Sequence, residues 1–298
     1  MDHHHGQLQS PLAQYRCMLY IGKMTRKHKK KRSATKASCA DRYDLYLQAV
    51  QAPEHEVPFF DRVFRKAYGR PASILREDFC GTFAVCCQWV KGRPNRHAIG
   101  VDLDPEPLAW GIKHNLDKLK PVDRTRIELL QADVRGNQGR RADVLAAQNF
   151  SFWIFKTRDE LARYFSAAHK NLRRQGVLVL DMMGGSESIE EDRHDETEHE
   201  DFTYIWDQAR FDPITHDCTF FIHFKFSDGS ELPKAFRYDW RFWTLPEVRE
   251  ILLETGFKHV DVYWEGTDPD TGEGNDVFRV RNHAPSEPAW ICYVVAHK

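Results

Sequence analysis

No apolar run in this chain approaches the ~20 residues that a helix needs to cross a bilayer. No two cysteines are spaced C-x-x-C, so a zinc knuckle is not expected. The seven cysteines are an odd number, and Cys86, Cys87 and Cys292 sit in apolar runs. They read as reduced core thiols of a cytoplasmic protein. The opening MDHHHGQLQS lacks the positively charged start and apolar centre of a secretory signal. Charge of one sign is also lacking: 43 Lys and Arg balance 44 Asp and Glu for a net charge of −1, so no global field favours nucleic acid or an anionic membrane. The 298 residues are enough for one large α/β core with an inserted subdomain.

The most informative stretch is ILREDFCGTFAVCCQWVKGRPNRHAIGVDLDP, residues 74–105. Ile74 and Leu75 open a short apolar strand, residues 77–82 make a tight turn, and residues 83–90 follow as a helix. A second apolar strand, 98–102, closes on Asp102. Gly81 and Asp102 lie 21 positions apart. A nucleoside-binding βαβ unit places about 20 residues between its turn glycine and the carboxylate that reads the ribose hydroxyls. The glycine admits close approach of the backbone, and the helix start offers free N–H groups.

The region resembles the first motif of the class I S-adenosylmethionine-dependent methyltransferases, D-x-G-x-G-x-G after a strand, with an acidic residue ending the next strand. Glu77 takes the acidic place, Gly81 the middle glycine and Asp102 the ribose carboxylate. Asp133 in LLQADV matches the acidic residue beside the adenine amino group. The first and last glycines are here Phe79 and Phe83, which marks REDFCGT as a subgroup version of the motif. The resemblance spans residues 42–298. It implies S-adenosylmethionine as cofactor and a Rossmann-like α/β fold with a seven-stranded, mostly parallel sheet.

Four segments are expected. Residues 1–38 read as a disordered basic tail, because KMTRKHKKKRSATK has almost no apolar content. Residues 39–185 carry the cofactor-binding core. Within them, DRYDLYLQAVQ has a helical apolar stripe, and the resemblance implies that such a helix, with Tyr46, closes over the cofactor. Strands are expected at 127–131, 142–148 and 177–183, and a helix at 158–172 with Leu161, Tyr164, Phe165, Ala168 and Leu172 on one face. Residues 186–243 are an antiparallel β insertion after strand five, an acidic hinge-like run followed by three strands, acting as a lid over the substrate. Residues 244–298 resume the core with a helix and strands at 258–264 and 290–297, separated by a long loop at 265–288.

Methyl transfer from a sulfonium needs alignment and exclusion of water more than protein-borne chemistry. Asp102 is the expected ribose partner. Asp133 with Leu103 and Val134 suits the adenine, and Glu77 or the carbonyls around Cys80 and Gly81 suit the methionine ammonium. Gln148 and Asn149 end strand four, where they orient a substrate or line the methionine. Neither [DN]-P-P-[YF] nor a cysteine beside prolines occurs there, which weighs against methylation of a nucleic-acid base.

The insert is rich in aromatics, and aromatic walls suit a small organic or cationic acceptor. His223, Tyr238 and His216 are the candidate catalytic residues. His194 and His199, five positions apart, fit no helical ligand pair, so no metal is expected. The expected activity is methylation of a small-molecule nitrogen or oxygen. An RNA or protein methyltransferase using the basic arm and a non-catalytic S-adenosylmethionine-binding module are the alternatives. No membrane partner is expected, and the sequence sets no oligomeric state.

Overall fold

The computed structural model describes residues 34–268 and 274–298. Most of the basic tail therefore lies outside the described residues. The folded unit begins at Thr35, a correction to the expected tail boundary at 38. The reason is local: Thr35 caps a short helix α1 (Lys36–Cys39), and the Lys36 N–H donates to Asp228 Oδ2 at 2.8 Å. Helix α2 (Arg42–Ala49) starts at Asp41, whose carboxylate accepts the Tyr43 N–H. Helix α3 (Pro53–Tyr68) has proline in its first turn and buries Val57, Phe59, Phe60, Val63 and Phe64 along one face.

The α/β core then alternates as expected. Its elements are β1 (Ile74–Asp78), α4 (Ala84–Gly92), β2 (His97–Asp102), α5 (Pro105–His114), α6 (Pro121–Arg124), β3 (Ile127–Gln131), β4 (Ala142–Ala147), α7 (Arg158–Asn171) and β5 (Leu172–Gly184). The insertion supplies β6 (Arg193–Glu198), β7 (Phe202–Phe211), β8 (Asp217–Phe226) and β9 (Glu231–Arg241). The core closes with α8 (Leu245–Glu254), β10 (His259–Thr267), β11 (Gly274–Val280) and β12 (Trp290–His297). Capping boxes fix the starts of α7 (Thr157 with Glu160) and α8 (Thr244 with Glu247).

Among the described residues the main sheet has eight strands in the order β11-β10-β12-β5-β4-β1-β2-β3. Strands β5, β4, β1, β2 and β3 are parallel, and β12 runs antiparallel between β5 and β10. Chain direction across the sheet reverses beside β1, where the crevice of a doubly wound sheet opens. The eighth strand corrects the expected seven. Strand β11 lies in the stretch expected to be a loop, because Phe278 and Val280 alternate onto the core beside Phe59 and Tyr293.

The insertion forms a second sheet, β6-β7-β8-β9, of four strands rather than three. Its acidic segment is not a free hinge: it pairs as the edge strand β6. An exposed edge needs no apolar content, and Arg193 gathers Glu187, Glu190 and Asp195 around itself. Nor is the insert a separate body. Cys218, Phe220, Trp240, Phe242 and Trp243 belong to the same buried cluster as Leu145, Leu178 and Leu180 of the main sheet.

Candidate functional site

The turn after β1 carries the densest backbone strain in the core. Phe79, Gly81 and Phe83 have φ of 58°, 50° and 48°. These are the three positions at which the methyltransferase motif has glycine, and two of them hold phenylalanine in the left-handed region at a cost of about 1–2 kcal/mol each. Packing overrides that cost. Phe83 is fully buried, and Gly111 of α5 leaves room for it, since a Cβ there would sit 2.5 Å from the Phe83 ring. Phe79 packs on Phe155 and Tyr164. Nothing lies within 4 Å of the space a Cβ would take at Gly81, so the turn faces open space there.

The residues expected at the nucleoside end gather around that turn. Asp102 Oδ2 accepts the Gly81 N–H at 2.7 Å and Oδ1 accepts the Asp104 N–H at 2.9 Å. Burial pushes its pKa up, against those two amides. Leu103 stands 67% exposed beside it, an apolar surface without a protein neighbour to cover it. Asp133 is held below its ordinary pKa by the Arg135 guanidinium at 2.6 Å. Val134 is buried, and its carbonyl accepts Arg76 Nη2 at 3.4 Å.

Arg76 and Asp78 form a fully buried pair at 2.7 Å within β1, and Arg76 ties the strand to the loop after β3 by donating to the Val134 and Gln138 carbonyls. Tyr164 adds a hydroxyl to Asp78, whose carboxyl is pushed up to about 6 by burial. Glu77 faces the other side of the sheet, where it accepts the Cys86 N–H and caps α4. Burial raises it to about 7. The Cys80 thiol is buried against Gly100, and the Cys80 carbonyl accepts the Phe83 N–H, so this carbonyl is committed to the turn.

Across the crevice, Gln148 donates to the Val179 carbonyl while its Oε1 is buried without a partner. Asn149 and Phe150 follow with φ of 57° and 55°, a tight left-handed turn. Asp181 of β5 holds it: its two oxygens accept the Asn149 N–H at 2.7 Å and the Phe150 N–H at 3.0 Å. Burial pushes Asp181 up to about 6.

Beyond this turn lies a two-lobed cleft between the main sheet and the inserted sheet. One lobe, about 450 Å³, is walled by Tyr46, Tyr204, Trp206, Tyr238, Trp240 and Trp290. The other, about 840 Å³, includes Glu56, Phe59, Asp181, Glu265 and Tyr293 in its walls. Both share Asn149 and Phe150. None of residues 77–134 lines either lobe. Helix α2 connects the two ends. Asp41 accepts the Trp110 indole N–H on α5 at 2.6 Å, Arg42 pairs with Glu106, and the Tyr46 ring lies 4.9 Å from Phe236 of β9.

Of the candidate catalytic residues, only Tyr238 faces the cleft, where it lines the same wall as Tyr46. His223 lies outside both lobes. Strand alternation points Ile222 inward, and His223 Nε2 meets Asp207 Oδ2 at 3.0 Å while Nδ1 accepts the Lys234 N–H. His216 sits in the β7–β8 turn at φ 60°, against Phe211 and Phe242, and not on a strand. His194 is exposed and 3.4 Å from Asp207, and His199 stacks on Phe202. No metal-binding group occurs among the described residues. Nor is any helix among them long and apolar enough to cross a membrane. Sequence reasoning missed Glu56 and Asp181; a lone carboxylate in the apolar run VLVLDMM was the sign available for the second.

No protein-family model matches the chain, and no curated protein does. Solved structures do match. An S-adenosylmethionine-dependent methyltransferase from Clostridium acetobutylicum aligns with a TM-score of 0.61 at 16% identity, over 86% of this chain and 95% of that one. CalS10 of Micromonospora echinaspora, described as an amino pentose methyltransferase and solved with S-adenosylmethionine bound, gives 0.60 at 18%, over 87% and 97%. KedS8 of a Streptoalloteichus species, described as a sugar N-methyltransferase, gives 0.55 at 20%, over 95% and 98%. What is shared is the fold. The chain has the class I methyltransferase architecture along nearly the whole length of these proteins.

Proposed function

We propose that the protein is an S-adenosylmethionine-dependent methyltransferase acting on a nitrogen or oxygen of a small molecule. It would belong to a subgroup in which Phe79 and Phe83 replace two motif glycines. The observation that carries this reading is the juxtaposition of two sites: the Gly81–Asp102 turn and, across α2 and the Asn149–Phe150 turn, an aromatic cleft roofed by the lid.

The residues present fit the cofactor. Asp102 keeps lone pairs free at an open edge for ribose hydroxyls, and the uncovered Leu103 offers a wall for adenine. Asp133, in an exposed pair with Arg135, would take the adenine side. The unpartnered Gln148 Oε1 is an acceptor for the methionine end. When bound, S-adenosylmethionine supplies a methyl group activated by a sulfonium. The chain's own part is to align the acceptor and keep water out. Tyr46 and Tyr238 wall the cleft from α2 and β9, and Trp206 and Trp240 extend the wall.

A small acceptor suits a cleft of this volume, and the walls carry more carboxylates than cations, which does not suit a phosphate backbone. The descriptions of CalS10 as an amino pentose methyltransferase and of KedS8 as a sugar N-methyltransferase support the same reading. The test is calorimetric titration with S-adenosylhomocysteine. Binding to the native chain, weakened in Asp102→Ala, is expected; absence of binding to the native chain overturns the proposal.

A further inference from the structure

The larger lobe of the cleft contains a carboxylate that the fold does not use. Glu56 is 7% exposed, and its Oε2 is buried without a hydrogen-bond partner. A buried polar atom left unpaired is costly, and one facing a cavity points to a missing ligand. The surroundings define that ligand's charge. Glu54 and Glu56 of α3, Asp181 of β5, Glu265 of β10 and Asp276 of β11 all line this lobe. The two basic side chains in its wall are His55 and Arg62. Arg62 is already engaged, donating to the Phe278 carbonyl at 3.3 Å and lying over the Phe59 ring at 5.2 Å. Phe59, Tyr204 and Tyr293 add ring surface of the kind that attracts an organic cation.

Resting on the methyltransferase reading above, we propose that Glu56, backed by Asp181, is the ammonium site of the acceptor: it binds a protonated amine and takes the proton that the nitrogen must lose before it can act as a nucleophile. The step balances simply. One N–H bond of the ammonium breaks, its electron pair stays on nitrogen, and the proton passes to Glu56 Oε2, leaving a neutral amine and a neutral carboxylic acid.

The electrostatics support this. Burial, then Glu77, Asp181 and Glu54, push Glu56 up to about 8. Asp181 is itself raised to about 6, Glu265 is raised by burial, and the Tyr293 phenol is raised by burial with Glu56 and Asp181 beside it. Glu56 is therefore protonated in the empty cleft at neutral pH. A cation seated at Oε2 stabilises the carboxylate and drives that proton into solvent.

The experiment titrates the full chain, saturated with S-adenosylhomocysteine, with cyclohexylamine and with its neutral analogue cyclohexanol. It is run at pH 7 in phosphate and in HEPES, so that the difference in heat counts protons. The native chain should prefer the amine at least tenfold and release close to one proton. Glu56→Gln should lose both the preference and the release while holding S-adenosylhomocysteine within twofold, which also shows that the variant is folded. No preference in the native chain, or a preference and proton release unchanged in Glu56→Gln, overturns the proposal. A loss confined to S-adenosylhomocysteine also overturns it, because the ammonium at Glu56 is then the cofactor's own. Failure of the native chain to bind S-adenosylhomocysteine at all strikes the methyltransferase reading instead, and this inference with it.

Discussion

At the nucleoside end, polar groups are fixed by near neighbours in sequence. Asp102 accepts from Asp104, Asp133 from Arg135 and Glu77 from Cys86, and Asp102 reaches Gly81 only across one βαβ unit. At the acceptor end the same jobs are done over long separations. Asp181 holds amides 31 and 32 residues away, and Tyr46 meets Tyr238 from the opposite end of the chain. The first end is set by motif spacing, the second by tertiary packing of α2, α3, β5 and the lid. The comparison teaches where each end is weak. Damage to the first should show in ligand binding, damage to the second in the stability of the fold itself.

The largest expected effect follows from Asp181. In Asp181→Ala the Asn149 and Phe150 amides lose their acceptor in a left-handed turn. Two orphaned amides at about 1–3 kcal/mol each predict a loss of roughly 2–6 kcal/mol in urea unfolding. Asp181→Asn keeps one acceptor oxygen and should fall between. A native-like midpoint for Asp181→Ala would show that the turn stands without it and that the acceptor end is less dependent on long-range contacts than argued. Asp102→Ala probes the other end. It should weaken S-adenosylhomocysteine by on the order of 1.5–3 kcal/mol per lost hydrogen bond while shifting the unfolding midpoint little. A binding loss without a stability loss sharpens the contrast; equal losses in both erase it.

The same contrast decided what the sequence could reveal. The βαβ spacing, the strand periods and the capping residues are local, so β1 to β5, α7, α8 and the position of Asp102 at the end of β2 were legible. The three left-handed positions at 79, 81 and 83 match the motif's glycine places, but nothing local tells that Gly111 makes room for Phe83. Strand β11 was read as a loop because Asp, Gly and Pro around it outweigh the short alternation of Phe278 and Val280. The acidic run was read as a hinge because composition does not distinguish an exposed edge strand from a flexible segment. The histidines misled for a related reason. Residue type suggests chemistry, but strand parity and the Asp207 partner decide that His223 faces away from the cleft.

A pH series gives a smaller effect that also separates the ends. Buried Glu56 and Glu77, raised to about 8 and about 7, bind protons more tightly in the folded than in the unfolded chain. Their protonated forms therefore favour folding, and stability should fall as pH rises from 6.5 to 8. The slope is at most about 1.4 kcal/mol per pH unit for each group. His169 and His297, lowered by burial, act in the opposite sense only below their ordinary value of 6.5. Thermal unfolding across that window should show the decline in the native chain and a shallower one in Glu56→Gln. A flat profile in both would show that these carboxyls are not held neutral.

The smallest effect tests how the lid is tied to α2. Tyr238→Phe removes one hydroxyl and keeps the ring beside Trp206 and Trp240, so packing is unchanged. What is lost is the close approach of two buried hydroxyls, worth at most about 1 kcal/mol. Tyr46→Phe removes the same contact from the other side, and the double variant should cost no more than either alone. Nothing at the nucleoside end depends on this pair, so S-adenosylhomocysteine affinity should stay within twofold in all three chains. Additive losses in the double variant would mean that the two hydroxyls act separately. A drop in cofactor affinity would mean that α2 transmits strain to Asp102 through Asp41 and Trp110, and the two ends would then have to be treated as one.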